Sequence, residues 1–172
     1  MKRAALLTLL AVATTTAQAA PPACIERGDM RTLIRVALPS AVEALAARCK
    51  ATLPPDAFLP SEGAALAERY RQEAPADPAR ARKAIEAATG RDLSSFADDD
   101  TVITLARAFI GNAIDKKVKP GDCHTIDGMV ALAAPFHAGA MVDAILLGLE
   151  LAGPDVTRGL AICRPSAESA PR

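Results

Sequence analysis

Apolar positions recur at helical spacing along most of this chain, and nowhere do they alternate with period two over a strand-length segment. Asp29 is placed to cap a first helix running to about Leu38, which Pro39 is expected to stop or kink. A second helix follows from about Pro39 to Thr52. It carries Val42, Leu45, Ala46 and Cys49 at i, i+3, i+4 and i+7, and Pro54-Pro55 ends it. Ser61 reads as the N-cap of a helix over about 62–73, with Leu66 and Tyr70 on one face. Asp77-Pro78 combines an N-cap with an N1 proline, and Gly90 supplies the C-terminal stop near Thr89.

Asp98-Asp99-Asp100 opens a long helix over about 99–118, whose expected apolar face is Val102, Leu105, Ala106, Phe109, Ile110 and Ala113. Lys116, Lys117 and Lys119 close it, so acids sit at its start and bases at its end, as the helix dipole favours. Pro120-Gly121 interrupts the chain. Asp122 then caps a helix of about 123–133, which Pro135 breaks. The most apolar stretch, about 137–152, carries Met141, Val142, Ile145, Leu146, Leu147, Leu149 and Leu151, and Gly153-Pro154 terminates it. The pattern predicts an all-α, compact bundle of about six or seven helices, with no sheet and no internal repeat.

The first residues change the picture of where this bundle resides. Lys2 and Arg3 precede an apolar run from Ala4 to Ala13, and Ala17-Gln18-Ala19 follows as a small-residue cleavage site. Residues 1–19 read as a cleavable signal peptide, because ten apolar residues are too few to span a bilayer core that takes about 20. Residues 20–172 are then expected to form one all-helical domain in the periplasm or outside the cell. Pro21 and Pro22 before Cys24 do not suit a lipid-modified cysteine.

An even set of cysteines behind an export signal implies disulfides, here among Cys24, Cys49, Cys123 and Cys163. Locality favours Cys24–Cys49 and Cys123–Cys163, each closing a loop around one helix region. Each would stabilise the fold by about 3–4 kcal/mol in a chain-entropy treatment, and the Cys123–Cys163 link is expected to matter more. No C-x-x-C pair is present, and His124 and His137 lie far apart in sequence, so neither structural zinc nor thiol redox chemistry is indicated.

Charge excludes some functions. The whole chain carries 20 basic and 20 acidic side chains. Without a clustered basic face, nucleic-acid binding is not expected. With four Phe, one Tyr and no Trp, stacking platforms for bases or sugars are nearly absent. Three adjacent aspartates at 98–100 lack the alternate spacing of a calcium loop and read as cap and dipole partners. His124 and Asp127, at i and i+3, can meet on a helix and could orient a general base. His137 and Asp143 sit on different faces. No serine among Ser40, Ser61, Ser94 and Ser95 stands in a G-x-S-x-G context. Asp143 and Glu150 share a face of the 137–152 helix. That helix is expected at the centre of the bundle with a narrow solvated edge, the alternative being that it lines an apolar groove.

These features describe an exported, non-enzymatic binding or accessory protein, without cofactor, that works on a protein or an apolar small molecule. The alternative is a small hydrolase with a histidine or carboxylate base.

Overall fold

The computed structural model describes residues 24–95, 98–153 and 162–163. The expected signal peptide at 1–19 lies outside them, as does most of the chain beyond Gly153. Six α-helices follow in order: α1 (Arg27–Cys49), α2 (Phe58–Glu73), α3 (Pro78–Thr89), α4 (Asp99–Lys117), α5 (Cys123–Ala133) and α6 (Ala138–Ala152). A single 3-10 turn at Pro120–Asp122 leads into α5. No strand is present among the described residues. An isolated bridge of Ile25 to Ile162 brings the two ends of the described chain together, with the Cys163 N–H donating to the Ile25 carbonyl at 2.9 Å.

The expectation that Pro39 ends a helix is wrong. α1 runs through it as one helix of 23 residues. An interior proline removes one backbone hydrogen bond and costs roughly 3 kcal/mol or more, so packing must offset it. It does so from several sides: Met30 and Ile34 pack with Val142 and Leu146 of α6. Val36 packs with Ala81 of α3 and Ile103 of α4. Val42 and Cys49 join Leu59, Leu66 and Tyr70 of α2 and Cys123 of α5. Pro39 and Ser40 are themselves buried. The central helix is therefore α1, and α6, expected at the centre, lies at the periphery.

α1 and α2 approach closely because Gly63 has no side chain. A Cβ added there would stand 3.2 Å from the Ala46 Cβ. α6 runs antiparallel to α1, with Arg27 of α1 paired to Glu150 at 2.6 Å and Arg31 paired to Asp143. The shared face of Asp143 and Glu150 is thus turned to the arginines of α1. Such partly exposed pairs contribute roughly 0–1 kcal/mol each, so they set alignment more than stability.

α4 is rotated relative to expectation. Val102 and Ile103 are buried and Ala106, Ile110 and Ala113 half-buried, while Leu105 and Phe109 point outward. The inward seam follows the contacts with α1 and α3, made along one side only. Where caps are local, the elements match the sequence reading: the Asp77 carboxylate accepts from the Arg80 N–H at 3.1 Å, and Asp98 accepts from the Thr101 N–H at 2.9 Å. Gly90 adopts φ +65°, the left-handed C-terminal stop that favours glycine.

The disulfides are Cys24–Cys163 and Cys49–Cys123, not the local pairs expected. The reason is α1 itself. A continuous 23-residue helix separates its ends by roughly 34 Å at 1.5 Å per residue, far beyond the Cα separation a disulfide allows. Cys24 lies just before the start of that rod and Cys49 is its last residue. Cys49 instead meets Cys123 at the start of α5, and both are fully buried within the α1–α2 core. The two bridges are nested, with sequence separations of 139 and 74. Among the described residues no helix is long and apolar enough to cross a membrane.

The inner bridge is expected to matter more. Loop entropy does not favour the inner bridge, because each bridge, once closed, shortens the path that the other restricts. Core packing does: the inner sulfurs fill core volume, whereas Cys24 is exposed. Thermal melts of Cys49→Ala/Cys123→Ala should show a larger drop in Tm than Cys24→Ala/Cys163→Ala. Equal drops, or the reverse order, would contradict this account.

Candidate functional site

α2 lies between α5 and α6 and terminates both. At its start, the N–H groups of Phe58 and Leu59 donate to the Asp127 carboxylate of α5, at 3.3 and 2.6 Å. Ser61, expected as the cap, is inside the helix, and its hydroxyl donates back to the Ala57 carbonyl at 2.7 Å. At the other end of α2, the Glu73 carboxylate accepts the first N–H of α6, from Ala138, at 2.7 Å. Arg69 donates to the Ala134 carbonyl, and the Tyr70 hydroxyl reaches the Ala133 carbonyl at 3.4 Å, so the end of α5 is also met by α2. Free helix ends expose four unsatisfied donors or acceptors each, and here neighbouring helices supply the partners.

This junction decides the fate of the histidine–carboxylate candidates. Asp127 is occupied as a cap, and no hydrogen bond or ion pair joins it to His124 among the described residues. His124 is exposed. His137 precedes α6, with its Nδ1 3.6 Å from Glu73 Oε1, and its side chain is 87% exposed. The Ala138 N–H holds the Glu73 carboxyl below the usual carboxylate range, with a smaller contribution from His137 and opposition from partial burial. Asp143 faces Arg31. Both oxygens of Asp98 accept from Thr101, and its carboxyl is lowered for that reason. Asp99 pairs with Arg82. Among the described residues no group of three or more acidic, histidine or cysteine side chains converges where it could hold a metal ion.

A different surface stands out. Between α2 and the end of α5 lies an open cavity of about 380 Å³. Phe58, Ala65, Leu66, Ala134 and Pro135 form its apolar wall, with Glu62 and Arg69 as its charged residues. The volume lies within the range of ligand-binding clefts. On either side of Ala134 and Pro135 in sequence, Met129 and Leu132 of α5 and Phe136 just past its end are exposed, Leu132 by 78%. α6 adds exposed Leu147 and Leu151 at i and i+4. Large apolar side chains left outside a packed domain in rows of this kind mark contact surfaces. The cap and breaker signals of the 123–133 segment mark its bounds but not this exposed surface. The available signal was Met129 and Leu132 at i and i+3, with Phe136 directly after the Pro135 break. No family model matches the chain, and no curated protein or solved structure is significantly similar to it.

Two measurements separate a capping role from a catalytic one. Asp127→Ala should cost about 1 kcal/mol of stability, the usual value of a lost cap. His124→Ala should leave the melting curve nearly unchanged. If the two substitutions destabilise equally, the capping assignment is wrong.

Glu73 should also make stability depend on pH. A carboxylate whose folded pKa is depressed contributes stability above its unfolded pKa, near 4.3, and that contribution disappears as the pH falls through the folded value. Glu73→Gln should therefore lower Tm at pH 7, and the gap to the parent protein should close in acid below about pH 4. A gap that stays constant from pH 7 to pH 3 would argue against the charge-dependent cap.

Proposed function

We propose that this protein is an exported, non-enzymatic binding protein that holds an apolar segment of another protein on the α2–α5 face. The observation that carries this reading is the apolar cleft of Phe58, Leu66 and Pro135 beside the exposed row Met129, Leu132 and Phe136. An amphipathic helix or extended segment presenting apolar side chains at matching intervals would bury both together. Glu62 and Arg69 carry opposite charges in the cleft wall and suit the polar edge of such a segment.

Export rests on the composition of residues 1–19 and on the pairing of all four cysteines. Disulfides persist in oxidising compartments, which supports a periplasmic or secreted location. The cleaved chain from Ala20 is the working form in this reading. A hydrolase reading draws no support from His124 and Asp127, because the carboxylate that would orient a base is committed to the start of α2.

Nile red, a neutral dye that brightens in apolar surroundings, tests the face directly. The native, oxidised protein should enhance and blue-shift its emission. Leu132→Ser/Phe136→Ser should remove most of the enhancement while changing Tm little, because both side chains are already exposed. Undiminished emission in that variant would refute the assignment of the binding face.

A further inference from the structure

On another side of the molecule, α1, the 74–76 segment after α2, and α4 enclose a second cavity of about 310 Å³. Its walls include three guanidinium side chains: Arg35 of α1, Arg71 of α2 and Arg107 of α4. Their electrostatic situations differ. Arg71 is matched by two carboxylates, Glu43 and Glu68. Arg35 and Arg107 have no ion pair or hydrogen-bonded partner among the described residues. The Arg35 Nε is buried from solvent and still lacks an acceptor. A buried charged donor without an acceptor is costly and uncommon in folded proteins.

The local chain explains why Arg35 is held there. Pro39, four residues on, also lines the cavity and has no N–H for the Arg35 carbonyl. The backbone and the side chain of Arg35 are thus both short of helical or ionic partners at one place. On α4, Asp100, Ile103 and Arg107 recur at i, i+3 and i+7, so one face of that helix closes the cavity. Asp100 is the single carboxylate in the lining, set against two unmatched guanidiniums. Solvent does not reach the Arg35 Nε, so an anion in the cavity would meet that guanidinium through its Nη groups.

We propose that this cavity is a binding site for a small organic anion, gripped through an oxyanion by Arg35 and Arg107. A guanidinium presents a planar fork that matches carboxylate and phosphate alike; Arg35 is half-buried and Arg107 exposed, so the site opens to solvent on the α4 side. Pro39 and Ile103 supply apolar wall for the body of the ligand. A volume near 310 Å³ admits a small molecule and not a folded partner. The site is separate from the α2–α5 cleft and does not depend on its role.

Titration of the oxidised protein with benzoate in one arm and phenyl phosphate in the other, followed by the arginine Nε–H resonances, tests this. The Arg35 and Arg107 signals should move saturably with at least one probe, and the better probe identifies the oxyanion. Arg48, which donates to the Val118 carbonyl elsewhere in the fold, should not follow them. Arg107→Gln should weaken the saturable binding at least tenfold with little change in Tm. Linear shifts shared by all arginines, saturation untouched by Arg107→Gln, or no response to either probe would each overturn the proposal.

Discussion

The whole arrangement depends on α1 remaining one helix through Pro39. A break there would give two short helices, each needing its own partners. The unbroken rod instead offers different stretches and faces to α2, α3, α4 and α6, and three clusters of buried side chains form along it. The energetic condition is that burial of Val36, Val42, Ile34 and their neighbours exceeds the roughly 3 kcal/mol that an interior proline costs. Each fully buried aliphatic side chain contributes about 1.5–3 kcal/mol relative to exposure, so several of them suffice. Local propensity loses to tertiary packing at this position.

The same rod dictates the covalent framework. By separating Cys24 from Cys49 it leaves each to find a partner brought in by another part of the chain. Cys49 lands beside the first residue of α5, and Cys24 beside Cys163, next to the Ile25–Ile162 bridge. The inner bond ties the end of the rod to α5. The outer bond ties its beginning to the returning chain next to α6, where the Arg27–Glu150 pair already aligns the two helices. Nested bridges therefore clamp both ends of one helix, whereas two local bridges would have left those ends independent.

How much of this could be read in advance follows from where each signal acts. Asp77, Gly90 and Asp98 were legible because their partners are three or four residues away, within the same turn of helix. Asp127 and Glu73 were not, because each satisfies N–H groups of a helix distant in sequence. Ser61 misled for the complementary reason: a good local cap is displaced when a carboxylate from another helix reaches the first turn. The all-helical class survives these errors, since apolar periodicity and breaker residues settle helix against strand without reference to partners. Pairing of cysteines does not, because one misplaced break reverses which sulfurs can meet.

The two surfaces with unmet chemistry differ in the same way. Met129 and Leu132 lie on one short helix and Phe136 stands just past its end, so their closeness along the chain was available from the sequence alone. What remained hidden was that α2 would cover only part of α5 and leave that row outside. Arg35 and Arg107 had no sequence signature at all, since arginines at helical positions ordinarily lie in solvent with their stems on apolar surface. Only the crossing of α1 with α4, beside a proline that cannot complete the backbone ladder, turns one of them into a buried donor without an acceptor. The feature that makes α1 costly to build is thus also adjacent to the cationic cavity. Functional sites are often where local rules are broken and the surrounding packing bears the cost. Here the broken rule and the unmatched charge meet within one turn of the central helix.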